Sequence, residues 1–340
     1  DSAIENGSEY FAATTYTGNG GTQSIVNSGG FQPDLVWIKS RSTADSNAFF
    51  DSIRGVGRFI RSDATAAENG NSGDLMGAFN SNGFQVNTNL LGTTNGTTNG
   101  SGQPQVGWQW KAGGAAVTNT AGSITSQVSA SPTAGFSVVT YTGNATNNAT
   151  VGHGLGALPN MVIVKNRDSA LDWGIWHTSL STGQVLRFST LAATVPGTAY
   201  FQDENNTSSV FALGANDEAN GSGDSHVAYC FSEVPGYSSF GSYTGNGSAD
   251  GPFVNLGFRP ALVMVKRTDA AGQWVMWDSE RDIYNFADKT LFPNLSNAEE
   301  TGNTAELWDL LSNGLKLRSN GRANASGGTY IYMAFAENPF

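Results

Sequence analysis

Apolar residues come in short runs that alternate with polar ones, and the runs are separated by Gly, Asn and Ser. Residues 11–16 alternate in this way and are followed by Gly18-Asn19-Gly20-Gly21, residues that accept turn conformations. Pro33 stands just before Leu35-Val36-Trp37-Ile38-Lys39, where a strand's first residues need no ladder donor. Ser81-Asn82-Gly83-Phe84-Gln85-Val86 carries the Asn-Gly hairpin signal. Val106-Gly107-Trp108-Gln109-Trp110 reads as an aromatic closing strand with both indoles on one core-facing side. Helical periodicity is weak. Residues 297–300 and 304–311 fit a helical turn or a strand equally.

The same order of elements is written three times. Tyr16-Thr17-Gly18-Asn19 returns as Tyr141-Thr142-Gly143-Asn144 and Tyr243-Thr244-Gly245-Asn246. The Leu35–Lys39 run returns at 161–165 and 262–266, with Trp37 set against Val164 and Val265 as core. Asn99-Gly100-Ser101-Gly102 returns as Asn220-Gly221-Ser222-Gly223 and Asn324-Ala325-Ser326-Gly327. Landmarks that keep their order and near-constant spacing indicate tandem duplication of a domain-sized unit. The expected fold class is all-β, as three tandem related β-sandwich (jelly-roll-like) domains over 10–114, 135–236 and 237–340. Residues 1–9 form a polar lead-in, and 115–134 a small-residue linker or extended strand.

Composition narrows the function. Of 340 residues, 13% are charged and 11% aromatic, so the chain can build a core and is not disordered by charge. The formal net charge of −11 and the lack of a Lys/Arg cluster disfavour nucleic acid. No apolar run is long enough to insert in a membrane as a helix. The one cysteine, Cys230, lies in an alternating run and reads as a buried small hydrophobe.

Candidate chemistry is sparse. Asp51 and Arg54 align with Asp278 and Arg281, but the middle copy has His177 and Leu180. A catalytic pair would not be lost in one copy, so a turn-stabilising contact is the more economical reading. Asn216, Asp217 and Asp224 place oxygen ligands among glycines, as a Ca2+ loop does, though without the EF-hand order. A solvated loop is the other reading. The three histidines are far apart, which argues against zinc. Gly152-His153-Gly154-Leu155-Gly156 lacks the lysine and helix of a phosphate loop. Trp173, Trp176, Trp274 and Trp277 flank a turn, and exposed rings there would stack on sugars. No acidic residue recurs at an apolar-flanked place in every copy, as a glycosidase pair built into the repeat would.

Tyr-Thr-Gly-Asn-Gly, Gly-Phe-x-Pro-x-Leu-Val-x-Ile-Lys-x-Arg, Asp-Ser-x-Arg-Gly, Ser-Asn-Gly-Phe and the ending Tyr330–Phe340 together resemble an uncharacterised tandem-repeat domain family of tailed-phage virion proteins, especially of marine and cyanobacterial phages. The resemblance spans essentially the whole chain. It implies a non-enzymatic structural protein on the phage particle, in a tail fibre or related appendage. Such a protein meets a host-surface glycan or protein, is commonly a homotrimer and sits among other virion proteins. A capsid or tail decoration protein without a receptor, and a polysaccharide depolymerase, are the alternatives.

Overall fold

The computed structural model describes residues 4–70, 75–87, 97–188, 194–302 and 304–337. The fold is all-β, and every paired strand is antiparallel. Each copy contributes one main sheet with the same internal order. In the first, Phe11–Thr17 lies beside Pro104–Trp110, then Leu35–Ser40, then Ala48–Asp51. In the second, Phe136–Thr142, Ser225–Phe231, Met161–Asn166 and Trp173–His177 follow that order. In the third it is Ser238–Thr244, Thr329–Ala336, Pro260–Arg267 and Trp274–Asp278. Small sheets pair Gln23–Val26 with Gly83–Val86, Ala149–Gly152 with Val210–Leu213, and Phe253–Asn255 with Gly314–Leu317.

Within 115–134 the structure has strands. Val117–Asn119 and Ser126–Ser131 extend the second main sheet. The ambiguous run at 304–311 contains the strand Trp308–Leu311, and 297–300 forms no helix. Strand pairing also shifts one alignment. Lys39, Lys165 and Lys266 occupy equivalent places, so Trp37 corresponds to Ile163 and Met264, one position before the valines.

The central strands look continuously apolar because both of their faces are buried. Leu35, Trp37, Met161, Ile163, Leu262 and Met264 all enter one cluster. Their alternates enter three separate clusters: Val36 and Ile38, Val162 and Val164, Val263 and Val265. These separate clusters also hold the small-sheet residues of the same copy, such as Phe84, Phe211 and Leu315. The shared cluster holds side chains from every copy. Equivalent rings meet at its centre: Trp110 and Phe231 at 6.4 Å, Trp110 and Phe335 at 5.8 Å, and Phe231 and Phe335 at 6.0 Å. Three equivalent residues in mutual contact mean that the copies are arranged in a ring.

The most recognisable motif is framework. The Tyr16, Tyr141 and Tyr243 hydroxyls donate to the Thr98, Ala219 and Ala323 carbonyls. Asn99, Asn220 and Asn324 accept from the backbone of Asn19, Asn144 and Asn246. A Cβ on Gly18 would lie 2.2 Å from the Gly100 carbonyl oxygen, so only glycine lets the two turns touch.

A chain cut to residues 10–114 exposes Trp37, Trp108 and Trp110 to water. We expect it to show no cooperative thermal transition as a monomer, read by circular dichroism. In the whole chain, Phe335→Ala should cost about 3–5 kcal/mol by denaturant unfolding.

Candidate functional site

The copies are tied in a circle by the loop that follows the fourth strand of each main sheet. The first copy's loop docks on the second copy, the second's on the third, and the third's on the first. The backbone pattern is shared. Glu68 N–H donates to the Arg167 carbonyl, Glu299 N–H to the Arg41 carbonyl, and Thr194 N–H to the Thr268 carbonyl. Trp173 and Trp274 Nε1 donate to the Arg61 and Arg187 carbonyls, and Asn47 Nδ2 to that of Leu295.

Two junctions are charged. In the first-to-second, Arg54 Nε pairs with Asp51 Oδ2 at 2.5 Å and Arg54 Nη1 with Glu68 Oε2 at 2.9 Å. Arg167 grips Glu68 with two bonds of 2.9 Å, and the Tyr229 hydroxyl donates to Asp51 Oδ2 at 2.9 Å. The third-to-first junction repeats this. Arg281 pairs with Asp278 at 2.6 Å and Glu299 at 2.8 Å, Arg41 grips Glu299, and Trp108 Nε1 donates to Asp278 at 2.9 Å. Burial by itself raises the Glu68 and Glu299 carboxyls. Their arginines overcome it and hold both below the ordinary value. The expected Asp–Arg turn contact is therefore present, and it also forms the inner half of an inter-copy clasp.

The second-to-third junction has none of these charges. His177 stands for the aspartate, Leu180 for the inner arginine, Thr194 for the glutamate and Thr268 for the outer arginine. Met333 stands where Tyr229 and Trp108 donate. His177 is fully buried; its Nε2 contacts the Tyr332 carbonyl at 3.1 Å, and its Nδ1 accepts from Ser179 N–H. Burial pulls its pKa down to about 4, so the ring is neutral at physiological pH. Beside it opens a cavity of about 470 Å3 lined by Leu180, Thr194, Tyr243, Thr268 and Thr329, among other uncharged residues. Residues 189–193, which precede Thr194, lie outside the described residues.

The three equivalent lysines are buried beneath the junctions. Lys39 donates to the Ser296 carbonyl and Lys165 to that of Thr65, each in a neighbouring copy's loop. Lys266 donates to the Arg267 carbonyl. Burial lowers all three to about 8.

The residues singled out for binding lie elsewhere. Trp173, Trp274 and Trp277 are at most 1% exposed and Trp176 is 7% exposed, which corrects the expectation of sugar-stacking rings there. Both faces of their strands are covered, so no indole face is free. Asn216 caps the short helix Asp217–Asn220, and Asp224 accepts from Asn166 Nδ2. The Asp217 carbonyl also accepts from Asn166 Nδ2. Among the described residues no group of three or more His, Cys, Asp or Glu is placed to hold a metal, so the Ca2+ reading of Asn216, Asp217 and Asp224 gains no supporting geometry.

Exposed rings do occur, at positions the sequence reading passed over. Tyr284 is 78% exposed, Phe286 54% and Ile283 63%. Asn285 bonds the Leu310 backbone in both directions and pins the loop, so its neighbours project outward. A second cavity of about 470 Å3 lies there against Phe286, Asp309 and Arg318. The available signal was length. The loop reaches its bridging residue at Ile60 and Leu186 in the first two copies, but only at Leu291 in the third.

Two outcomes follow from this geometry. Asp278→Ala strands Arg281 and the Trp108 N–H, and should cost about 3–5 kcal/mol. Asp278→His with Arg281→Leu removes both members of the inner pair, keeps Arg41–Glu299 and strands only the Trp108 N–H, so it should cost less than Asp278→Ala, read by urea midpoints. His177 contributes stability that is complete above pH 6.5 and is lost as pH falls towards 4. His177→Gln should therefore flatten that part of the stability curve by about 2–3 kcal/mol.

No helix of the described residues is long and apolar enough to cross a membrane. No curated protein and no solved structure matches this chain. One family model, described as a domain of unknown function (DUF7483), matches residues 6–339. The chain belongs to the DUF7483 family over nearly its whole length.

Proposed function

We propose that this chain is a non-enzymatic component of a phage particle, part of a tail fibre or related appendage, that attaches to a host-cell surface. Its three copies are read as related jelly-roll-like sandwiches, each a main sheet backed by its own small sheet. The reading is carried by the loop at 283–286. Three large apolar side chains stand exposed within four residues, on a pinned loop beside a cavity. Exposed apolar residues clustered in this way mark a contact surface. An aromatic pair beside Asn, Asp and Arg suits a glycan, which stacks on rings and bonds to short polar groups.

Several perturbed groups elsewhere serve the framework. The carboxylates of Glu68 and Glu299 are paired across junctions with Arg167 and Arg41, and those of Asp51 and Asp278 with Arg54 and Arg281 of their own copy. His153, His177 and His226 are buried, contact backbone carbonyls through their rings and are pulled below the ordinary histidine value. Burial pushes the Cys230 thiol up, away from the reactive thiolate. Association into homotrimers and with other virion proteins belongs to the same proposal, with several copies per particle adding avidity.

The purified chain, fluorescently labelled, should adsorb to host cells, and soluble host polysaccharide should compete. Tyr284→Ala with Phe286→Ala should reduce adsorption at least tenfold without lowering the melting temperature. Unchanged adsorption by that variant removes the loop from the reading. Release of oligosaccharides by the wild type would replace attachment with depolymerase activity.

A further inference from the structure

The second-to-third junction departs from its two counterparts at five positions together: His177, Leu180, Thr194, Thr268 and Met333. Relaxed packing would alter positions singly. Here the four ionic positions and the ring donor that faces them all lose their roles. At the charged junctions the same space is crossed by Arg167–Glu68 and Arg41–Glu299, and at one of them Thr15 Oγ1 also bonds Glu280 Oε1 at 3.2 Å. In the neutral junction no ion pair crosses among the described residues, and Thr194 meets only the Thr268 carbonyl. The result is a cavity of about 470 Å3, within the roughly 300–1,000 Å3 range of small-molecule sites.

The lining specifies the ligand's chemistry. Every described lining residue is uncharged, and most carry a hydroxyl. Ser181, Gln184, Ser242 and Thr244 make no side-chain hydrogen bond among the described residues, so their donors and acceptors are available. Leu180 and the half-buried Tyr243 ring, which stacks on Tyr330 at 5.0 Å, add apolar surface. A site with many neutral donor–acceptor groups and one apolar wall matches a polyol with a C–H face. A charged ligand would find no counter-ion in the lining, and an anion is further opposed by the chain's net charge of −11.

We infer that the cavity between the 179–184 loop and the third main sheet is a binding site for a neutral saccharide, formed at this junction by loss of the ionic clasp. It is separate from the 283–286 loop and does not depend on it.

The test uses the whole chain and neutral oligosaccharides of glucose, galactose, mannose and N-acetylglucosamine. Binding is read by calorimetry and by methyl NMR shifts of Leu180 and Ile331. Thr194→Glu with Thr268→Arg restores the bidentate pair of the other junctions and should weaken binding at least tenfold. Because burying a new pair can disturb folding, Thr244→Trp at the exposed rim serves as a second variant and should weaken binding similarly. Saccharide binding that both folded variants leave unchanged, or that never shifts the Leu180 methyls, overturns the site. No binding of any of the four sugar classes overturns it too. Either result leaves the adsorption test of the 283–286 loop standing, whereas loss of host adsorption on changing Tyr284 and Phe286 would leave this cavity untouched.

Discussion

Everything in this fold follows from the fact that one apolar cluster is built by three copies at once. Each main sheet has two buried faces. Its own small sheet covers one face, and only the other two copies cover the other. Burying a large aromatic side chain contributes about 1.5–3 kcal/mol, and the shared cluster holds many. No single copy can collect that stabilisation by itself. The contact of Trp110, Phe231 and Phe335 therefore lies where the three copies share that burial.

Much of the architecture was legible in the residues. Repetition of Tyr-Thr-Gly-Asn and of the Lys-ending strand marked the copies, and alternation marked the strands. The Asp51–Arg54 spacing announced its turn contact correctly. The reading failed where local pattern is blind to the second face of a strand. Trp173 and Trp274 follow polar turn residues and look exposed, yet their outer sides are packed by another copy. Glu68 and Arg167 are far apart in sequence and share no motif, so their pairing shows only when the ring is closed. Tyr284 and Phe286 have no counterparts in the other copies, because they lie where the third copy's loop is four residues longer, so the repeat pattern says nothing of them.

The three copies serve as an internal comparison. Where all three agree, as with the tyrosine hydroxyls on backbone carbonyls, the shared feature is structural. Where the middle copy differs, it differs as a set. Replacing Asp by His, the inner Arg by Leu, and Glu and the outer Arg by Thr keeps a neutral, hydrogen-bonded turn while removing four charges that would need partners. Buried ion pairs contribute little net stability once desolvation is counted, so losing them all together is tolerable, whereas losing one is not.

The uneven charge of the junctions also guards against misassembly. Loops and faces that were all alike would let the chain close into smaller rings by skipping a copy. A ring without the middle copy brings the first loop, with Asp51, Arg54 and Glu68, against the neutral Thr268 and Met333 face. A ring without the last copy lays the neutral second loop over Arg41 and the Trp108 N–H. Each mismatch buries polar groups with no counterpart, at a cost of several kcal/mol. The odd junction thus disfavours these two shortcuts, while a closure of the second and third copies alone keeps both charge matches and is opposed by the apolar face it leaves open.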